Sequence, residues 1–161
     1  MPAYCWAVQV HRGVEIRNVQ TFGAQDPYVV ASLLWKQESL SSQRGPTAPG
    51  GGTEPSWESK PILLPSTQKP QSLLLEVWNE NTAIDDRIGQ ARLDISSAAS
   101  FARGKRVICT LDTSGIIEAT VHCMLPLRAS NIRPGQRVQR GPNWEEGNSD
   151  GGRTEFLQLE P

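Results

Sequence analysis

The sequence predicts an all-β fold in which two antiparallel sheets pack face to face. Apolar and polar residues alternate in short runs, most clearly in residues 116–125, where Ile117, Val121 and Leu125 share one face. Turn-forming residues divide these runs, and almost no stretch shows the period of a helix. Several short strands separated by turns are typical of a β-sandwich.

The most strongly patterned stretch is residues 73–95. Both of its ends alternate as two neighbouring strands of a sheet do, and a polar loop, residues 79–86, joins them. Ile84 is the single large apolar side chain of that loop. Because loops held by rigid strands commonly carry function, this loop is the first candidate site.

We expect one folded domain over residues 4–127. Residues 38–53 are rich in Ser, Gly, Pro and Gln, which predicts a disordered loop between two strands, because such a segment buries too little apolar surface to offset its ordering entropy. Residues 128–161 contain few large apolar side chains, so they are predicted to form a tail that does not fold by itself.

Composition and charge exclude several classes of protein. Lys and Arg number 16 against 17 Asp and Glu, so no basic excess is present to bind nucleic acid. No apolar run approaches the roughly 20 residues of a transmembrane helix, and the N-terminus has no signal-peptide pattern. The three cysteines form no CxxC pair and fit reduced thiols. These features predict a cytoplasmic protein, either free or peripherally attached to a membrane.

No catalytic constellation is present in the sequence. It contains no GxSxG, HExxH, P-loop or GxGxxG motif. His11 and His122 fall in strand patterns and are better explained as solvent-facing strand residues than as bases or ligands. We therefore expect a non-catalytic binding protein that requires no cofactor.

Five short motifs follow one another along residues 4–127. They are Trp6-x-Val8-x-Val10, Asp26-Pro27-Tyr28-Val29, Thr53-x-Pro55-x-Trp57-Glu58, Leu75-Glu76-Val77-Trp78-Asn79 and Asp86-Arg87-Ile88-Gly89. Each is weak alone, but in this order they resemble the C2 domain family. The resemblance implies an eight-stranded antiparallel sandwich with its working loops at one end. It also implies a module that docks on phospholipid, commonly through calcium, or on a protein.

The resemblance also identifies the family's calcium-binding positions. Asp26 and Asp86 keep their carboxylates, whereas Gln20, Asn79 and Asn81 stand where the family has acidic residues. Amide oxygens do not supply the missing negative charge, so we expect a degenerate site with a Kd of about 10⁻⁴–10⁻³ M or weaker for calcium. The alternative for Asp26 is an Asx-type turn cap without metal, and for Asp86 the two interpretations are equally good.

Phe22 and Ile84 are expected at the tips of the loops that C2 domains point at membranes. Insertion into lipid would explain an apolar residue among polar ones, with Arg87 nearby to assist. The alternative is that both side chains fold back and cap the sandwich. The leading hypothesis is therefore a calcium-independent module that docks on a phospholipid membrane or on a protein.

Residues 131–152 contain two distinctive runs, Arg140-Gly141-Pro142-Asn143-Trp144 and Asp150-Gly151-Gly152. Together they carry a second resemblance, to the opening of a mind-bomb/HERC-type repeat. This resemblance implies an alternative function, a scaffold or substrate-recruiting part of a ubiquitin-ligase-like protein. Glu146 replaces a residue that is usually aromatic, and the sequence ends short of a full repeat. A fragment, a relic and a chance match in a Gly-rich tail all remain open.

Overall fold

The computed structural model describes residues 3–58 and 60–124. These residues form an eight-stranded antiparallel sandwich, which confirms the predicted fold class. One short 3-10 helix, Ala98–Phe101, precedes the seventh strand. In this part of the chain no helix is long and apolar enough to span a membrane. The strands are β1 (Tyr4–Val14), β2 (Pro27–Trp35), β3 (Glu38–Arg44), β4 (Ile62–Ser66), β5 (Ser72–Asn79), β6 (Asp86–Asp94), β7 (Lys105–Thr110) and β8 (Ile116–Met124).

The order of strands is β4-β1-β8-β7 in one sheet and β3-β2-β5-β6 in the other. Because every paired strand is antiparallel, the connections that follow β1, β3, β5 and β7 emerge at the same end of the sandwich. We call this the loop end. It consists of the segments 15–26, 45–54, 80–85 and 111–115; after residue 54 the chain runs back beside β1, where Ser56 pairs with Arg12.

The core lies between the two sheets and follows the predicted alternation. Inward-facing residues of the central strands are at most 4% exposed, and Trp6 packs against Phe101 with their ring centroids 5.5 Å apart. Full burial of one Leu or Val side chain is worth about 1.5–3 kcal/mol, so this core is what holds the strand ends, and hence the loops, in place. The central inward-facing residues are Trp6, Val8, Val10, Val29, Ala31, Leu33, Leu73, Leu75, Val77, Ile117, Ala119 and Val121.

The prediction of a disordered loop at residues 38–53 is wrong. Glu38–Arg44 is strand β3, paired with β2 along its length. The loop that follows is tied down by backbone hydrogen bonds, in which Ala48 N donates to Pro27 O at 2.8 Å and Gly52 N to Gln25 O at 3.1 Å. An edge strand needs little apolar surface because its ladder hydrogen bonds to a neighbour stabilise it, and composition does not record those bonds.

Gly89 allows the β7–β8 loop to pack directly on β6. A Cβ atom at this position would lie 2.5 Å from Oγ1 of Thr113 and 3.3 Å from Cβ of Leu111. The Thr113 hydroxyl donates a hydrogen bond to Ile88 O at 2.7 Å, so it is not free to move aside. Because residue 89 has no side chain, the β7–β8 loop, residues 111–115, can pack directly against β6.

The predicted tail, residues 128–161, lies outside the residues that the structure describes. The repeat-like segment at residues 131–152 and the predicted domain end near residue 127 lie there as well. The domain bounds of 4–127 stay a prediction.

A candidate docking site at the loop end

Asn79, the last residue of β5, is the centre of a hydrogen-bond network and is fully buried. Its Oδ1 accepts a hydrogen bond from the backbone N–H of Asp26 at 2.7 Å. Its Nδ2 donates to Oε1 of Gln20 at 2.8 Å and to Oδ1 of Asn81 at 3.2 Å. A single buried amide thus links the β1–β2 loop to the β5–β6 loop, and each of its polar atoms has a partner.

Asn81 extends this network into the loop that carries Ile84. Its Nδ2 donates to Oδ2 of Asp86 at 2.8 Å and to the carbonyl oxygen of Ile84 at 2.9 Å. Its backbone N–H donates to Oδ1 of Asp85 at 2.9 Å. These bonds hold the tip of the β5–β6 loop in one conformation.

Asp26 connects a third loop to the first two. Its Oδ1 accepts a hydrogen bond from the backbone N–H of Gly50 at 2.7 Å, and its carbonyl oxygen accepts one from Glu80 N at 3.0 Å. Gly50 has a positive φ of 64°, a conformation that side chains disfavour. Asp26 therefore joins three loops through hydrogen bonds, and its carboxylate contacts Gly50 of another loop and not its own turn.

The residues at the calcium-binding positions lie close together, but they do not fit a calcium ion. Calcium takes 6–8 oxygen ligands, and affinity depends on their charge. Here the NH₂ groups of Asn79 and Asn81 donate hydrogen bonds to Gln20 Oε1 and Asp86 Oδ2, so two of the oxygens that a calcium ion would need already accept from amide groups. Within residues 3–58 and 60–124, no group of three or more His, Cys, Asp or Glu residues is arranged to hold a metal.

Gln25 shapes the loop that carries Phe22, and the sequence did not identify it. It is fully buried. Its Oε1 accepts from Val19 N at 2.9 Å, and its Nε2 donates to the carbonyl oxygens of Arg17 at 2.8 Å and Gly52 at 3.0 Å. A glutamine within a polar loop gives no sequence signal of burial, because its partners are backbone groups that any residue would supply.

A second polar cluster supports the β5–β6 loop from the side. The Tyr28 hydroxyl donates to the Asp85 carboxylate, and the Tyr28 ring centroid lies 3.6 Å from Cζ of Arg44. Burial, together with that hydrogen bond, raises the pKa of Tyr28 to about 12. Arg44 also forms a 2.6 Å ion pair with Glu80, and hydrogen bonds from Thr47 and Arg44 lower the pKa of Glu80.

Phe22 and Ile84 are the exposed apolar side chains of the loop end, 83% and 77% exposed respectively. Neither folds back over the sandwich, so the capping alternative is wrong. Arg87, which is expected from the sequence to assist these residues, forms a 2.6 Å ion pair with Asp112. The hydrogen bond from Arg87 lowers the pKa of Asp112, and the arginine charge is paired with a carboxylate of the same protein.

The outer face of the β4-β1-β8-β7 sheet carries a further set of paired polar side chains. His11 is hydrogen-bonded to Oγ1 of Thr120 at 2.7 Å. Glu118 is bound by Arg12 at 2.8 Å and by Arg106 at 2.8 Å. The hydrogen bond from Arg12, followed by that from Arg106, lowers the pKa of Glu118 to about 2.

The three thiol groups belong to strand residues: Cys5 lies in β1, Cys109 in β7 and Cys123 in β8. All three cysteines are free, and Cys109 and Cys123 are buried. Burial raises the pKa of the Cys123 thiol to about 11, so the thiol stays protonated at neutral pH. These residues behave as small apolar side chains of the strands.

Solved structures share this architecture at low sequence identity. A C2 domain of plant extended synaptotagmin 1 aligns with a TM-score of 0.64 and 19% identity, covering 80% of this chain and 98% of that chain. Another C2 domain aligns with a TM-score of 0.58 and 18% identity, covering 74% and 97%. A structure of two C2 domains of extended synaptotagmin 2 aligns with a TM-score of 0.62 and 18% identity, covering 82% and 45%. At these identities the likeness shows the fold alone.

Comparison with sequences gives the family. No curated protein matches this chain. The family model of the C2 domain matches residues 6–111. This match does not extend to residues 131–152, so the resemblance to a mind-bomb/HERC-type repeat gains no support. Since the match covers more than half of the chain and includes the loops that carry Phe22 and Ile84, this chain belongs to the C2 domain family.

Proposed function

We propose that this chain is a non-catalytic, calcium-independent docking module that attaches peripherally to cytoplasmic phospholipid surfaces through its loop end. Membership of the C2 family supports a lipid- or protein-binding module. The observation that favours lipid is the pair Phe22 and Ile84, which are 83% and 77% exposed at the end where the loops converge. Exposed apolar side chains of this size in a polar surface favour transfer into a membrane interface.

The size of the apolar pair predicts weak and reversible binding. Burying Phe22 and Ile84 in lipid contributes about 3–6 kcal/mol before the entropic losses of association. After those losses the affinity is that of a transient peripheral contact. The hydrogen bonds of Asn79, Asn81 and Gln25 reduce one of these losses, because the loops are already ordered before docking.

The same hydrogen bonds support independence from calcium. In a calcium-dependent site the ion joins the loops and adds positive charge towards the lipid phosphates. Here the buried amide of Asn79 joins the loops. Among the described residues, no group of three or more carboxylates is arranged to hold an ion there. Docking therefore depends on apolar insertion.

Vesicle co-sedimentation with calcium and with chelator tests the proposal. Equal weak binding in both conditions, lost in a Phe22→Ala/Ile84→Ala variant, is the expected result. A Leu63→Ala/Ile108→Ala variant is the matched control, because these residues are also exposed, at 51% and 64%, but lie on strands β4 and β7 away from the loop end.

Two outcomes would contradict the proposal. Strong binding that appears only at micromolar calcium would contradict the calcium independence. Absence of binding in every condition would leave a protein-docking module in place of a lipid-docking one. The ubiquitin-ligase alternative depends on residues 131–152, and no contact of the described residues favours it.

A further inference from the structure

We propose that the loop end selects zwitterionic phosphocholine surfaces over anionic lipid surfaces. This inference rests on the proposed lipid function and adds the chemical class of the headgroup. It depends on the charges that surround Phe22 and Ile84.

Carboxylates outnumber basic groups at the loop end. The segments that form it, together with the flanking strand ends, carry Arg17, Arg44 and Arg87 as their basic residues. In a chain whose formal net charge is only -1, this is a marked segregation of charge. The carboxylates in the same region belong to Glu15, Asp26, Glu54, Glu80, Asp85, Asp86 and Asp112.

Two of these arginines are already paired within the protein. Arg44 contacts Glu80 at 2.6 Å, and Arg87 contacts Asp112 at 2.6 Å. Arg17 is exposed and forms no ion pair among the residues that the structure describes. A lone arginine does not balance the carboxylates that remain.

Asp26 and Asp86 contact neutral donors and form no ion pair among the residues that the structure describes. Asp26 accepts from the backbone N–H of Gly50, and Asp86 accepts from the amide of Asn81. Hydrogen bonds from neutral donors stabilise a carboxylate without cancelling its charge. An anionic headgroup that approaches the apolar tips therefore meets uncompensated negative charge.

The outer group of a phosphocholine head has the opposite sign. Its cationic quaternary ammonium offsets the charge of its phosphate, so a phosphocholine head is neutral overall and does not repel the carboxylates of the loop end. A basic residue near an anionic membrane changes its affinity by about fivefold, and we expect each uncompensated carboxylate to act with similar size and opposite sign.

The opposite end of the sandwich, which we call the far end, consists of the connections 36–37, 67–71 and 95–104 with the flanking strand ends. Among the residues that the structure describes there, basic residues are in excess, and the acidic ones are Glu38 and Asp94. An anionic surface would thus attract the end that has no apolar tips and repel the end that has them. The exposed basic residues there are Lys36, Lys69, Arg92, Arg103 and Lys105.

Co-sedimentation in chelator, at low ionic strength, tests this inference. One set of vesicles contains phosphatidylcholine alone, and the other contains phosphatidylcholine with added phosphatidylserine. We expect at least about fivefold weaker binding to the mixed vesicles, with the difference shrinking as salt screens the charges. Only binding that is lost in the Phe22→Ala/Ile84→Ala variant is counted as binding through the loop end.

Charge variants locate the effect. An Asp86→Asn variant, at an exposed position, should raise binding to the mixed vesicles by about fivefold, and adding Asp26→Asn should raise it further. Asp94→Asn removes the same charge at the far end and should leave loop-end binding unchanged. Thermal melting of each variant shows whether it is folded, and Asp86→Asn alone suffices if the double variant is not.

The outcomes separate this inference from the function on which it rests. Loop-end binding that rises with the phosphatidylserine fraction, or that is equal on both vesicles, overturns the headgroup selectivity and leaves lipid docking intact. No loop-end binding to either vesicle overturns both.

Discussion

Replacing Asn79 by Ala tests whether one buried amide holds the loop end together. The substitution removes the acceptor of Asp26 N at 2.7 Å and the donor to Gln20 at 2.8 Å and Asn81 at 3.2 Å. Because residue 79 is fully buried, water does not readily replace these partners. The protein should fold but lose stability, with its loops less ordered.

The magnitude follows from the number of groups that lose a partner. A buried polar group left unsatisfied costs about 1–3 kcal/mol, and the Asp26 N–H and the Gln20 carbonyl both lose their Asn79 contact. We expect a loss of about 2–4 kcal/mol in the free energy of unfolding. For a domain of this size each kcal/mol lowers Tm by roughly 3–6 °C, so Tm should fall by about 10 °C.

Urea unfolding followed by tryptophan fluorescence measures this loss, provided that the m-value stays constant. Asn18→Ala is the matched control, since Asn18 lies in the same loop but is exposed, with its Oδ1 accepting a 3.0 Å hydrogen bond from Gln20 N. The control should change stability by less than about 0.5 kcal/mol. An equally small change in Asn79→Ala would refute the assignment of a linking role to this amide.

Asn79→Asp/Asn81→Asp tests the same network in the opposite direction. In chelator the added carboxylates should destabilise the protein, because they replace amide donors with like charges near Asp26 and Asp86. Calcium should then restore stability, by about 2.7 kcal/mol at a concentration 100 times its Kd. The unmodified protein should melt at the same temperature with and without calcium, and a rise on adding calcium would show that the amides do bind the ion.

Further predictions concern the sandwich itself. Hydrogen bonds from Arg12 and Arg106 lower the pKa of Glu118 from 4.5 to about 2. The ionised Glu118 carboxylate therefore stabilises the folded protein above pH 4.5, and this contribution is lost as the pH falls towards 2. Glu118→Gln should flatten the stability profile in that window, measured by thermal melting; an unchanged slope would contradict the pairing. Gly89→Ala should cost about 1–3 kcal/mol in urea unfolding through the clash with Thr113, and a neutral result would contradict that contact. Trypsin should spare Arg44 while the sandwich is folded, because it lies in β3; early cleavage there would contradict the strand.

The sequence by itself determined the fold and the location of the apolar tips. Alternation in residues 73–95 predicts two half-buried strands, and the structure has β5 and β6 there. Phe22 and Ile84 are apolar side chains inside polar loops, which predicts exposed loop tips, and both are exposed. The strand prediction succeeds because local alternation directly records which side chains a sheet buries.

The tertiary structure decided the identity of each residue's partner. Strand β3 is stabilised by ladder bonds to β2 that its polar composition does not reveal. Folding pairs Arg87 with Asp112, which lies 25 residues away in sequence and which no local pattern identifies as its partner. In the sequence, Asn79 is visible only as an amide at a position where the family has a carboxylate. Its hydrogen bonds join residues that only the topology brings together. Period and composition describe which surface a residue buries, whereas long-range hydrogen bonds and ion pairs depend on how the loops meet at one end of the sandwich.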